Sequence, residues 1–271
     1  MTSLTNFHAH SVYDDGAETC EAMVKAAVSK GCVVFGISGH APMGFATDWC
    51  MTRENEPAFI EEMRCLKEKY AGQITLFTGL ERDYYAPEPP DGYDYVIGSV
   101  HYIKKDGVML TIDDTEAAQI EAVRRFFGGD FYAYTKAYYE TVADVAKKTS
   151  QDIVGHFDLV TKFNEGGKLF DETDTRYLNP ALEALTAIME THKLFEINTG
   201  AMYRIGRTVP YPSPVLLKAL YMRGGEIILS SDSHDGVSIG YQFDEAIQLA
   251  KSCGFTSAKT LTKDGFIEYR L

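Results

Sequence analysis

The chain has 271 residues, 45% hydrophobic and 12% aromatic, which is enough for one sizeable core and compatible with a single α/β barrel. A formal charge of −13 excludes a broad cationic surface, and with it nucleic acid as a bulk partner. Five cysteines, an odd number without a CxxC pair, fit reduced thiols better than a disulfide framework. With no basic-then-apolar leader and no apolar run near about 20 residues, the expectation is a soluble cytoplasmic protein without a membrane partner.

Short apolar runs alternate with amphipathic ones. Leu4 to His8 reads as a strand, Glu18 to Ser29 as a helix stopped by Gly31, and Cys32 to Ser38 as a strand rich in β-branched and aromatic residues. Phe59, Ile60, Met63 and Leu66 give Glu56 to Tyr70 a helical period, and strands follow near Ile74–Leu80 and Tyr95–Val100. Residues 102 to about 150 break the rhythm as an aromatic-rich insertion, with a hairpin turn at Lys104-Lys105-Asp106-Gly107 and two helical stretches. The alternation resumes with Asp152–Gly155, a helix around Asn179–Glu190, Leu194–Asn198, a helix opening at Ser213-Pro214, Glu226–Ser230, a helix over Asp244–Ser252, and a final strand near Phe266–Tyr269. About seven strand–helix units in order predict one parallel barrel domain over residues 1–271.

The chemistry sits at the ends of the strands. Six of seven histidines close short apolar runs: His8 and His10 in Phe7-His8-Ala9-His10, His40 in Ser38-Gly39-His40, His101 in Gly98-Ser99-Val100-His101, His156 in Gly155-His156, and His234 in Ser231-Asp232-Ser233-His234. A further run, Ile74 to Leu80, closes on Glu81. In a parallel barrel these positions share the C-terminal rim, where catalytic groups gather. Residues two apart on a strand project to the same side, so His8 and His10 can reach one ion. Asp15, in the Asp14-Asp15-Gly16 loop, offers a carboxylate beside them. Glu81 can bridge two cations, and Asp232 with His234 repeats the two-apart spacing. Imidazoles with carboxylates suit zinc, iron or manganese better than calcium, and the lack of thiolates argues against a structural zinc knot. Any one strand-end histidine would more often be a hydrogen-bonded core or surface residue, but the set at equivalent positions points to a multinuclear metal site. His192, at a helix end in Thr191-His192-Lys193, lies outside the pattern.

In their order along the chain, the HxH, Gly-His, strand-end Glu, Gly-Ser-Val-His, Gly-His-Phe-Asp and Ser-Asp-Ser-His motifs resemble the polymerase and histidinol phosphatase superfamily. The resemblance implies a distorted seven-stranded (β/α) barrel, TIM-like, with two or three divalent metal ions at its rim. It implies one ion on His8, His10, Glu81 and Asp232, a second on Glu81, His101 and His156, and a third on Asp15, His40 and His234. Asp15 stands where many relatives carry a histidine. Ile97-Gly98-Ser99-Val100-His101-Tyr102, the aromatic insertion, and Asn198-Thr199-Gly200 leading to Arg204, Arg207 and Pro210-Tyr211-Pro212-Ser213 are most similar to the histidinol-phosphatase branch.

The expected activity is therefore hydrolysis of a small phosphorylated substrate, L-histidinol phosphate, to L-histidinol and phosphate by a metal-bridging hydroxide, a step of histidine biosynthesis. Metal ions would make a local positive centre on an otherwise acidic protein. Arg204 or Arg207 is expected to grip the phosphate, with Lys162 as a second candidate. Asp232 and His234 are both candidates for protonating the leaving group. Trp49, Tyr203 and the aromatics between 126 and 139 could wall the substrate, although core packing is the better reading for most of them. Competing readings are a phosphoesterase of the same superfamily acting on another small ester or nucleotide, a metal-dependent amidohydrolase, and a non-catalytic metal-binding protein. The amidohydrolase reading lacks the strand-end lysine that such enzymes usually carry. Oligomeric state is left open.

Overall fold

The computed structural model describes residues 4–45, 48–89 and 91–271. In chain order its strands are β1 (Leu4–Asn6), β2 (Cys32–Ile37), β3 (Thr75–Asp83), β4 (Tyr95–Ser99), β5 (Tyr102–Lys105), β6 (Val108–Thr111), β7 (Ile153–Val154), β8 (Leu194–Asn198), β9 (Glu226–Ser230), β10 (Ser257–Thr262) and β11 (Gly265–Arg270). Its helices are α1 (Cys20–Ser29), α2 (Glu56–Lys69), α3 (Glu116–Phe126), α4 (Phe131–Thr149), α5 (Thr175–Met189), α6 (Gly200–Arg204), α7 (Pro214–Met222) and α8 (Phe243–Cys253).

Seven strands form one parallel sheet in the order β1-β2-β3-β4-β7-β8-β9, as a barrel built from successive strand–helix units requires. The barrel closes almost completely. A single parallel bridge, Ala9 with Ser233, joins its two edges, with His10 N–H donating to the Ser233 carbonyl at 2.8 Å and Ser233 N–H to the His8 carbonyl at 3.2 Å. Asn6 supplements this seam, its Oδ1 accepting from Ser231 N–H at 2.8 Å.

Local chemistry sets the elements. Thr19 caps α1 by accepting from Ala22 N–H, Asp130 caps α4 through Tyr132 and Ala133 N–H, and Pro57 and Pro214 occupy first-turn positions of α2 and α7. Strand β3 is buried at every position after Thr75, the continuous run expected of a strand covered on both faces. Inside the barrel, Phe7, Phe77, Tyr95, Ile97, Ile153, Leu194 and Ile228 pack together with Leu261 of β10. The Tyr95 ring lies against Gly36 and Gly79, where a methyl group would overlap it, and its hydroxyl donates to the Phe7 carbonyl. A bulky ring reaching across a narrow barrel thus explains the glycines on β2 and β3.

Two regions depart from a plain strand–helix repeat. The insertion opens with the β5–β6 hairpin, whose turn residues Asp106 and Gly107 both have positive φ, as a two-residue type I′ turn demands. Helices α3 and α4 follow. Most aromatics of α4, Tyr134, Tyr138 and Tyr139 among them, are buried in the core rather than lining a substrate wall. The last strand anticipated near Phe266–Tyr269 does not join the barrel. It is β11, paired antiparallel with β10, because Asp264-Gly265 supplies a tight return and Gly265 adopts positive φ. Helix α5 starts four residues earlier than its apolar period suggests, since Asp174 caps it and Pro180 is accommodated inside the helix.

Candidate metal centre and cavity

Strand ends β1, β2, β3, β4, β7 and β9 deliver the predicted histidines and carboxylates to one rim. There they form a continuous buried cluster. Glu81 is its hub. Its Oε1 lies 2.8 Å from His156 Nε2 and 3.3 Å from His101 Nε2, and accepts from Ser99 Oγ at 2.7 Å. Its Oε2 lies 2.8 Å from His40 Nδ1, 3.2 Å from His8 Nε2 and 3.7 Å from His10 Nε2. Asp232 Oδ1 is 3.2 Å from His10 Nε2 and 3.7 Å from His8 Nε2. Asp15 Oδ1 lies 3.1 Å from His234 Nε2 and 3.7 Å from His40 Nε2.

Three groups converge closely enough to hold an ion: His8 with His10 and Asp232; His40 with Glu81 and His101; and His10 with Asp15, His40 and His234. His10 and His40 therefore each stand between two groups, a finer interleaving than the three separate sets implied by resemblance. His156 joins through Glu81.

The donor atoms fit metal ions. His8 Nε2, His10 Nε2 and Glu81 Oε2 are buried and make no hydrogen bond, although the two nitrogens lie 3.2 and 3.7 Å from the carboxylate oxygen. Lone pairs aimed at a common point in a low-dielectric interior repel unless a cation or proton lies between them. Without metal, protons must serve. Burial works against a charged His8, but Glu196, Glu81 and Asp232 raise its pKa well above the ordinary value. Burial likewise opposes protonation of His10, yet chiefly Asp14, aided by Asp232 and Asp15, raises it to about 10. Glu81 and Asp232 are held well below the ordinary range, against their burial, by the surrounding imidazoles and, for Asp232, foremost by Arg204. His234 goes the other way: burial, His10 and Arg204 lower its pKa.

A ring of orienting carboxylates stands behind the donors, and sequence reasoning missed most of it. Glu196, fully buried on β8, places Oε2 2.8 Å from His8 Nδ1, while its Oε1 accepts from His156 N–H at 2.6 Å and Asn198 Nδ2 at 2.9 Å. Asp14 Oδ2 lies 2.6 Å from His10 Nδ1 and accepts from His40 N–H at 2.9 Å. Asp83 Oδ2 lies 3.3 Å from His101 Nδ1 and accepts from its N–H at 2.8 Å. Such contacts fix the ring orientation and tautomer of a ligating histidine. The available signal was spacing: Asp83 and Glu196 lie two residues from Glu81 and Asn198, on the same strand faces.

The cluster floors a cavity of about 450 Å³. Arg204, at the end of α6, reaches into it, donating from Nη2 to Asp232 Oδ2 at 2.9 Å and lying against the His234 ring. Lys162 also lines it, its ammonium donating to the Asp113 carbonyl at 2.7 Å and Oδ2 at 3.0 Å. Arg207 does not line it. That side chain is buried, with Nη1 donating to the Thr161 carbonyl and the guanidinium 4.8 Å from the Tyr211 ring. The opposite wall comprises Asp48, Trp49, Tyr102, Met109 and Thr111, so the β5–β6 hairpin is part of the cavity. Trp49 packs edge-on to His40 at 4.5 Å and stacks near Tyr102 at 6.1 Å. Tyr203 instead packs on Tyr241, and the His192 ring lies 2.9 Å from Thr191 Oγ1, away from the cavity. No helix among the described residues is long and apolar enough to cross a membrane.

A parallel seven-stranded barrel carrying convergent histidines and carboxylates around one cavity defines a protein built for multinuclear metal chemistry. The family model described as PHP domain matches residues 6–200, and the chain belongs to that family, as a phosphoesterase. It is 30% identical over 265 residues to the Deinococcus radiodurans protein named "Probable histidinol-phosphatase", covering 94% of this chain and 95% of that one. The histidinol-phosphatase of Bacillus subtilis is 25% identical over 258 residues, covering 85% and 92%. In structure the chain is similar to the Lactococcus lactis histidinol phosphate phosphatase solved with zinc, L-histidinol and phosphate. The TM-score is 0.72 and the identity 22%, over 98% of this chain and 99% of that one, a likeness of fold.

Proposed function

We propose that the protein hydrolyses L-histidinol phosphate to L-histidinol and phosphate. The observation that carries this reading is the placement of Arg204 and Lys162 on the same cavity as the convergent donor cluster, together with the stacked Trp49–Tyr102 pair. His8, His10, Asp15, His40, Glu81, His101, His156, Asp232 and His234 would hold two or three divalent ions. Such ions supply Lewis acidity and a water whose pKa is lowered to about 7.

The chain's own residues do the rest. Arg204 offers a planar fork of N–H donors to the phosphoryl oxygens, sharing itself between them and Asp232. Lys162 spends two of its three N–H groups on Asp113, which leaves one for a phosphoryl oxygen in the cavity that it lines. Asp232 and His234, both beside Arg204, are the two candidates for passing a proton to the departing alkoxide. Elsewhere in the cavity lining, Trp49 and Tyr102 present apolar surface to an imidazole, and Asp114, next to the Lys162 partner Asp113, offers a carboxylate to an ammonium group. Zinc, iron and manganese all suit this donor set, and the zinc of the Lactococcus lactis complex supports zinc among them.

The test is phosphate release from L-histidinol phosphate by metal-replete protein. A kcat/KM at or above about 10⁴ M⁻¹s⁻¹, within the ordinary enzyme range, supports the substrate. A value below roughly 10² M⁻¹s⁻¹ with metals bound rejects it. In that case turnover of other phosphate monoesters would identify a PHP phosphoesterase of different specificity.

A further inference from the structure

Arg207 is a buried cation that the proposed chemistry does not use directly. Its relative exposure is 5%, and burial of a guanidinium is costly unless its surroundings repay the desolvation. Its Nη1 donates to the Thr161 carbonyl, its face covers Tyr211, and the Asp158 and Glu172 carboxylates raise its pKa against burial and alongside Tyr211. Two of these partners, Thr161 and Tyr211, lead to the cavity. Thr161 ends the short turn Leu159–Thr161, and both Leu159 and the next residue, Lys162, line the cavity. Beside Arg207, Thr208 Oγ1 donates to Glu165 Oε1 at 2.5 Å, a second tie between the same two rim loops. On the other side, Tyr211 exchanges backbone hydrogen bonds with Asn198 at 2.7 and 2.9 Å, and Asn198 Nδ2 lies 3.3 Å from Asp232 Oδ2.

We propose that Arg207 is a positioning residue that acts through Lys162. By clasping the Thr161 carbonyl from the loop after β8, it fixes the turn after β7 so that the Lys162 ammonium is held between Asp113 and the bound phosphate. This rests on the reading of Lys162 as a phosphate-binding group. A flat, rigid guanidinium can accept Tyr211 on its face while donating in its plane, a combination that a lysine cannot reproduce.

The test is a double-mutant cycle of Arg207→Met and Lys162→Met, read as KM and kcat with both p-nitrophenyl phosphate and L-histidinol phosphate, with bound metal counted in each variant. We expect Arg207→Met to raise KM about tenfold with kcat and metal content little changed. The same substitution in the Lys162→Met background should then have almost no further effect. Added guanidinium should restore part of the loss in Arg207→Met alone. Losses that multiply in the double variant, or loss of metal in Arg207→Met, would overturn the proposal. If Arg207→Met does not fold, Arg207→Lys takes its place in the same cycle with the same criteria. Coupling seen with p-nitrophenyl phosphate but no turnover of L-histidinol phosphate would reject the substrate while leaving the role of Arg207 standing.

Discussion

Glu196 offers a stringent check on the centre, because it touches no expected ion yet governs which nitrogen of His8 can. Its carboxylate accepts from three directions: His8 Nδ1, the His156 N–H and Asn198 Nδ2. That arrangement keeps the His8 proton on Nδ1 and leaves Nε2 bare towards Glu81 and Asp232. In Glu196→Gln the volume is preserved, but the new amide has one acceptor and two donors. If its oxygen keeps the His156 and Asn198 bonds, its NH₂ faces His8 Nδ1 and drives the proton to Nε2, the nitrogen needed for ligation. If it turns round, two buried donors meet. Either outcome costs about 1–3 kcal/mol for a mismatched buried polar group, which is roughly 5- to 150-fold in a binding constant. Outer-shell substitutions at metal histidines typically cost about 10- to 100-fold in affinity or activity, the same range. Competition titration of the loaded protein against a chelator, together with steady-state turnover, should both record the loss. Wild-type metal affinity in a folded Glu196→Gln variant would refute the tautomer argument and the placement of an ion against His8.

Three further outcomes follow from the same geometry. In metal-free protein, His10 is lifted from 6.5 to about 10, so its contribution to stability is complete below about pH 6.5 and is lost as pH rises towards 10, whereas the depressed Glu81 and Asp232 contribute above their ordinary range and lose that contribution in acid. Thermal melting of the metal-free form should therefore decline from pH 6.5 to 9.5, and metal loading should release protons measurable in weakly buffered solution; a flat profile with no release would contradict the proton-filled cluster. Arg204→Met should raise KM for a phosphate monoester about 10-fold or more, while Arg204→Lys recovers only part of it because the planar fork is lost; unchanged kinetics would remove Arg204 from the substrate site. Trp49 is the only tryptophan and packs 4.5 Å from the His40 ring and 5.4 Å from the His101 ring, so titration with manganese should quench its fluorescence in step with binding. Stoichiometric binding without a fluorescence change would place the ions elsewhere.

The barrel was legible because parallel strands covered on both faces announce themselves as short apolar runs, and their ends carried the histidines. Glu81 stood out for the same reason. What escaped was governed by contacts distant in sequence. Nothing in the neighbourhood of Arg207 says that its side chain turns inwards to Thr161 while Arg204, three residues earlier, reaches the cavity; Arg204 ends α6 and Arg207 lies in the loop beyond it. Glu196 reads as an unremarkable polar residue within Leu194-Phe195-Glu196-Ile197, and only the pairing of β7 with β8 brings it beneath His156. The interleaving of His10 and His40 between groups likewise depends on ring rotations that strand spacing does not set. The C-terminal hairpin was half seen, since Ser257–Thr262 is less apolar than the barrel strands and gives a weaker pattern.

The seam between β1 and β9 gives the cluster a mechanical side. Among the described residues, only the Ala9–Ser233 bridge and a few side-chain bonds close the barrel there, and the residues flanking that bridge are His8, His10, Asp232 and His234. An ion held by His8, His10 and Asp232 would therefore cross-link the two edges of the barrel at its weakest join. Local opening of that join competes with ligation, so its free energy should rise with metal affinity while the rest of the barrel is unaffected. Amide exchange at His10 and Ser233, whose N–H groups make the joining hydrogen bonds, would then report metal occupancy one edge at a time, before any global unfolding is seen.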